Sequence, residues 1–385
     1  MKTGFQQFEF AAPICSRRNF LRGSAGLLLT AQTAAWGNKS ATLPARPHGA
    51  IYIPARAYNA YQAWQHYDHD TTRRDLRFAR SLNLNALRVW LSYEFWLHDP
   101  HELQRRFLDL LNLCSIAEIR LMPVLFEGDG VEPTDANIAD TSPLHASDLL
   151  SPSGAVVGNR RLWNKPLRFV DWFMQHFRDD RRLLAIEINN EPFGRARHLF
   201  AHSMMAHAAK VRGSIPLSIG GTNLAQSRAF IDAGADILQT HPDFPASRLD
   251  METVIQHVLN AEKVLQRPVW VSEWQRVRSQ ASGWGRRQLG NNEWQPDYAS
   301  LAPAIRRAGV GNFFWSLMLK PAWLLAQRRK GTLNGVFHED GAVWSLADAR
   351  AISGNSHFHA VERKVWPHWA RSIPKSLGLR EIVAG

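Results

Sequence analysis

The chain has 385 residues, 45% of them hydrophobic and 21% charged, which is enough apolar surface for a substantial core and excludes global disorder. Its formal charge of +12 favours acidic polymers in general. The arginines, however, are scattered in pairs at 73–74, 105–106, 160–161, 181–182, 286–287, 306–307 and 328–329, with no basic patch interleaved with aromatics. They read as solvated helix faces and imply no nucleic-acid partner.

At the N-terminus, Ser16-Arg17-Arg18-Asn19-Phe20-Leu21-Arg22 precedes a weakly apolar run over 25–35 and then a polar, proline-containing stretch. That is the layout of a twin-arginine export signal, with cleavage expected near Ala35, a linker over 36–49 and one folded domain over 50–385. Removing residues 1–35 takes Cys15 with them and lowers the charge to about +9. Cys114, in a helical pattern, is then the remaining cysteine; it reads as a small buried residue, and no intrachain disulfide is possible. No later run reaches the roughly 18 apolar residues of a membrane helix, so the mature chain is expected in the periplasm or outside the cell with no integral membrane segment.

From residue 50 on, short runs of branched and aromatic residues alternate with longer segments of helical period, about eight times. The strand candidates are 55–61, 86–91, 120–126, 184–189, 216–220, 237–240, 268–272 and 312–317. Several are apolar on both faces, as buried parallel strands require. Helical periodicity covers 71–82, 100–117, 166–178, 197–211, 224–233, 249–265 and 296–308, with Asp70 and Asp99 as candidate N-caps. This alternation, without a dinucleotide glycine fingerprint, predicts a single-domain α/β fold, the (β/α)₈ TIM barrel, with long βα loops over 127–165, 275–295 and 319–341 on its active face.

The fourth strand ends Ala185-Ile186-Glu187-Ile188-Asn189-Asn190-Glu191-Pro192 and the seventh ends Val269-Trp270-Val271-Ser272-Glu273-Trp274. Strands four and seven face each other across an eight-stranded barrel, so Glu191 and Glu273 are expected on one rim. Two such carboxylates are what cleavage of a glycosidic acetal needs: a protonated acid for the leaving oxygen and an ionised partner to attack the anomeric carbon. Arg88, inside the apolar second strand, is placed to stabilise the ionised one through a bidentate contact.

Asn190-Glu191-Pro192, Ser272-Glu273, Arg88 and Trp315 together resemble the signature of the clan of retaining glycosidases that includes glycoside hydrolase family 5, the cellulases and β-mannanases. The resemblance runs in order through the mature chain. It implies Glu191 as acid/base, Glu273 as nucleophile, Asn190 as donor to the sugar 2-hydroxyl, and Trp315 as the platform under the sugar. A flat aromatic also suits the C–H face of a sugar on physical grounds. On strand six the chain reads Gln239-Thr240-His241-Pro242-Asp243-Phe244, so His241 stands for the clan's histidine while Asp243 or Phe244 replaces its tyrosine. A histidine common after strand three is replaced by Glu127-Gly128-Asp129-Gly130.

Fifteen tryptophans are many for this length, and Trp64, Trp90, Trp96, Trp274, Trp284, Trp294 and Trp323 fall at expected strand ends or in active-face loops. Trp64 and Trp274 are taken as substrate contacts with Arg88, Asn190, His241 and Trp315. His198 and His202 have metal-ligand spacing on a helix but no third ligand, so no metal and no cofactor is implied. The expected activity is hydrolysis of a β-linked glucan, mannan or related polysaccharide by double displacement. The alternatives are a weak or inactive carbohydrate-binding barrel and a transglycosylase acting on envelope polysaccharide.

Overall fold

The computed structural model describes residues 46–277, 295–323, 325–328 and 331–376. The expected export signal at 1–35, Trp284 and Trp294 lie outside the described residues.

Eight parallel strands form the barrel: β1 (His48–Ile51), β2 (Ala86–Trp90), β3 (Arg120–Glu127), β4 (Ile186–Asn190), β5 (Leu217–Gly220), β6 (Leu238–Thr240), β7 (Val269–Trp274) and β8 (Asn312–Phe314). They pair in the order β5-β4-β3-β2-β1-β8-β7-β6, and a parallel bridge between Ser218 and Ile237 joins the two ends. The predicted (β/α)₈ barrel is the fold of the chain.

Two apolar layers follow from the period of two along each strand. In β2, Leu87 and Val89 point outward into the layer shared with the helices, while Ala86 and Trp90 turn inward with Met122, Val124, Trp270 and Phe313. The outer layer is closed by helices His69–Ser81, Pro100–Ile116, Asn164–Phe177, Gly194–Val211 and Arg248–Leu265. Their starts are chemically marked. Asp99 caps Pro100–Ile116 as expected, and Ser247 with Asp250 forms a capping box. Asp68, rather than Asp70, caps the helix at 69–81 by accepting from the Thr71 N–H.

The first strand differs from its expected place. Pro54 ends the extended run early, and Asn59 caps the helix Ala60–Gln65 through the Gln62 N–H, so 55–61 is turn and helix start while β1 lies at His48–Ile51. The expected linker over 36–49 is corrected with it: His48 and Gly49 pair in the barrel, and Arg46 bonds the Gly309 carbonyl and Glu262. Past β8, the 319–341 segment carries a two-stranded ribbon, β9 (Lys320–Pro321) against β10 (Leu333–Asn334). Cys114 is free and buried, and no described helix is long and apolar enough to cross a membrane.

Candidate active site

The barrel floor beneath the site is a buried ionic network. Arg88 has no exposure, and its Nε and Nη2 donate to the two oxygens of Glu187 at 2.8 and 2.6 Å. Nη2 also donates to Asn190 Oδ1 at 2.7 Å, and Nη1 to Glu273 Oε2 at 3.0 Å. The expected bidentate contact is therefore made with Glu187, and Glu273 receives one bond. Arg88 is enclosed, so its reading as a substrate contact is corrected to that of a group holding the floor. Gly220 makes room for it: a Cβ there would lie 2.3 Å from Glu187 Oε1 and 2.8 Å from Asn190 Oδ1.

Above this floor, β4 and β7 deliver their acids to one cleft. One carboxylate oxygen from each of Glu191, Asp243 and Glu273 lies within 4.8 Å of the others. Irregularities in both strands place them there. The register of β7 against β8 shifts between Val271 and Trp274, and that of β4 against β5 between Glu187 and Asn190. The β7 shift matters for Glu273, since strict alternation from inward-facing Trp270 would turn it outward. Glu191 has a positive φ of +39°, its N–H bonded to the Gly220 carbonyl at 2.7 Å. Gly128 passes so close beneath that a Cβ on it would lie 2.0 Å from the Glu191 carbonyl oxygen.

Electrostatics distinguish the groups. Burial, then the charge of Asp129, raises Glu191 to about 7. Burial and Glu191 raise Asp243 to about 8. Glu273 is pushed well above the usual carboxylate range by burial first and then Asp243, while His241 and Arg88 act against this. His241 is fully buried, and burial lowers it to about 4. Its Nδ1 lies 2.6 Å from Glu191 Oε1 and its Nε2 lies 3.0 Å from Ser272 Oγ, which ties strand six to both carboxylate strands. His241 thus touches Glu191 and stands behind the cleft instead of lining it.

The cleft encloses about 450 Å³, part of it open to solvent, and is lined by Trp90, Glu127, Asp129, Asp148, Asn190, Glu191, Asp243, Glu273, Gln275, Trp315 and Trp323. Trp315 is in place as a wall, edge-on to Trp90 at 5.9 Å and to Trp323 at 5.7 Å between ring centroids. Asn190 lines the cleft, but its amide donates to both oxygens of Glu127 at 3.0 Å.

Two expected substrate contacts are corrected. Trp64 is 4% exposed, stacks on Tyr67, and donates its indole N–H to the Trp90 carbonyl at 2.8 Å within the outer core. Trp274 is 1% exposed, bonds Asn312 Oδ1 and packs on Tyr298 and Phe314. Once Glu273 faces the cleft, the next residue along the strand must face away. Trp64→Ala is accordingly expected to cost about 3–5 kcal/mol of stability as a cavity mutation while leaving KM unchanged. Thermal unfolding and initial rates check this; an unchanged melting temperature with a severalfold higher KM would return Trp64 to the cleft.

Glu187, Glu127, Asp148 and Gln275 belong to the site, yet sequence reasoning did not single them out. Glu187 carried a usable signal: an acid inside an apolar strand needs a buried cation, and Arg88 stands inside the apolar β2, across β3 from β4. Asp148 and Gln275 sit in loops where no period applies. His198 and His202 both pack on Phe230, and His202 lies 3.4 Å from Asp232.

No protein-family model matches the sequence, and a search of curated proteins finds no match. Solved structures do match in fold. An exo-β-1,4-mannosidase from Opitutaceae bacterium strain TAV5 superposes with a TM-score of 0.58 at 16% identity, over 86% of this chain and 60% of the other. An endo-β-1,4-mannanase from Thermotoga petrophila gives 0.53 at 11% identity over 88% and 79%, and a broad-specificity endoglucanase from Clostridium longisporum gives 0.53 at 11% over 81% and 97%. The chain thus spans under two thirds of the length of the mannosidase. At these identities the likeness is one of fold, and the chain is a divergent (β/α)₈ barrel of the architecture used by these mannan- and glucan-cleaving enzymes.

Proposed function

We propose that the chain is a retaining β-glycosidase, with Glu191 as acid/base and Glu273 as nucleophile, acting on a β-linked glycan. The observation that carries this reading is the approach of their carboxylate oxygens to within 4.8 Å in one cleft. Retaining enzymes hold their pair about 5–5.5 Å apart, whereas inverting ones need about 6.5–9.5 Å to admit a water. Barrel neighbours named as β-1,4-mannosidase, mannanase and endoglucanase support mannan- or glucan-type substrates. Export through the twin-arginine pathway, drawn from Ser16 to Leu21, would bring the enzyme to such polymers outside the cytoplasm.

Attack by Glu273 on the anomeric carbon, with Glu191 protonating the departing oxygen, gives a covalent glycosyl-enzyme. Glu191, now ionised, then takes a proton from water as that water releases the sugar. With Glu191 near pH 7 in the free protein, kcat/KM is expected to fall as pH rises through about 7, because the proton needed by the leaving group is lost. In Glu191→Ala that alkaline limb should vanish for an aryl glycoside whose leaving group needs no proton. A pH profile of both proteins tests the assignment, and an identical limb in the variant would reject it.

A second reading, sugar binding without turnover, draws on the proton that burial and Asp243 favour on Glu273. Incubation with 2-deoxy-2-fluoro glycosides followed by intact-mass measurement separates the two. A covalent adduct on Glu273 supports hydrolysis by double displacement. Its absence, with no product from β-glucan, mannan or aryl β-glycosides, supports binding alone.

A further inference from the structure

Resting on that reading of the site, we infer that the cleft takes a β-linked amino sugar, its free ammonium seated between Asp243 and Glu273. Six carboxylates line the cleft: Glu127, Asp129, Asp148, Glu191, Asp243 and Glu273. Apart from the Trp315 indole N–H, the side-chain donors lining the cleft are already engaged. Trp90 Nε1 and Asn190 Nδ2 serve Glu127, Gln275 Nε2 serves Asp243 at 3.0 Å, and the Trp323 side chain serves Asp148.

Acceptors, by contrast, remain open. Glu273 is 8% exposed and Arg88 takes its Oε2; among the described residues Oε1 has no partner. Asp243 uses one oxygen for Gln275, and its other oxygen is likewise without a partner. A bare sugar hydroxyl brings one donor and also seeks one, whereas an ammonium brings three donors and a positive charge and accepts nothing.

Position narrows the choice of cation. The anomeric carbon must sit between Glu191 and Glu273, and Asp243 lies within 4.8 Å of both. A cation held there is bonded close to the reacting carbon, as the amine on carbon 2 of a glucosaminide is. Trp315 supplies an aromatic wall suited to the ring's C–H face or to the ammonium itself. The net charge of +12 opposes a cationic polymer at long range, but salt screens it over about 8 Å. Inside the cleft the adjacent carboxylates dominate.

The same cation resolves the protonation of both acids. Burial favours a proton on Asp243 as well as on Glu273 in the empty cleft, and an ammonium between their free oxygens favours release of those protons to solvent, leaving Glu273 ionised for attack.

Initial rates with 4-methylumbelliferyl β-glucosaminide, β-glucoside, β-mannoside and N-acetyl-β-glucosaminide test this, because the leaving group is constant. The expected result is a kcat/KM for the free amine at least about tenfold above each neutral sugar, falling to parity in Asp243→Asn. Calorimetry of wild type with glucosamine and glucose, at about pH 6 where the amine is fully charged, gives an independent readout. Tighter binding of glucosamine with net proton release in two buffers of different ionisation heat supports the inference, even if no glycoside is cleaved. Efficient cleavage of the neutral glycosides without preference for the amine overturns it and leaves the glycosidase reading intact. Equal binding of the two sugars together with no cleavage overturns both.

Discussion

Glu273→Ala is expected to lower kcat on an aryl β-glycoside by about 10⁴-fold or more, since the variant loses the atom that forms the bond rather than one that assists it. The melting temperature should change little or rise, because a buried acid beside Asp243 is removed, although Arg88 keeps Glu187 as its bidentate partner. Added azide offers a sign that a structural role could not give. Azide fits the space left by the carboxylate and attacks from the same face, so rescue should yield the α-glycosyl azide from a β-glycoside. Rescue of Glu191→Ala should instead give the β-azide, as azide replaces water in the second displacement. Product configuration by NMR distinguishes these outcomes. A β-azide from the Glu273 variant would exchange the two roles, and activity within tenfold of wild type would remove Glu273 from the chemistry.

Most of the barrel was legible because buried parallel strands are short apolar runs between longer periodic ones, and seven of the eight expected strands overlap the observed ones. The exception, β1, was misplaced because Pro54 and Asn59 punctuate a run whose composition alone favoured a strand. At the site, Glu191 and Glu273 could be read from strand ends, since the topology of a closed barrel fixes which ends meet. Trp64 and Trp274 could not be read the same way. Their facing depends on a shift of one residue in β7 and on a turn after β1, and pattern does not report either. Nor does pattern report charge partners. Arg88 stands out in the sequence as a cation in an apolar strand, but that Glu187 takes two of its bonds and Glu273 one depends on the fold. Asp243 was legible as a departure from the clan's tyrosine; that it shares a small volume with both other acids was not.

Arg88→Met is expected to lower both stability and activity sharply. Arg88 and Glu187 both have no side-chain exposure, and the guanidinium also bonds Asn190 and Glu273. Truncating it leaves the Glu187 carboxylate with the Gln239 amide at 3.1 Å as its remaining side-chain partner. Loss of one member of a buried pair typically costs about 3–5 kcal/mol, because the other charge stays desolvated. For a domain of this size that is a fall in melting temperature on the order of 10 °C. The pair itself has smaller net worth than this penalty, since its desolvation offsets much of its attraction. The double variant Arg88→Met with Glu187→Leu should therefore recover a large part of the lost stability, while Arg88→Lys, with a charge but no planar fork, should fall between wild type and Arg88→Met. Activity should part company with stability in this series. Even where the double variant refolds well, Glu273 and Asn190 have lost a donor each, so kcat is expected to stay at least about 100-fold below wild type. Urea unfolding of the four proteins, with rates measured alongside, gives both quantities. A single variant within 1 kcal/mol of wild type, or a double variant less stable than Arg88→Met, would show that the floor of the barrel is held by packing and not by this ionic network.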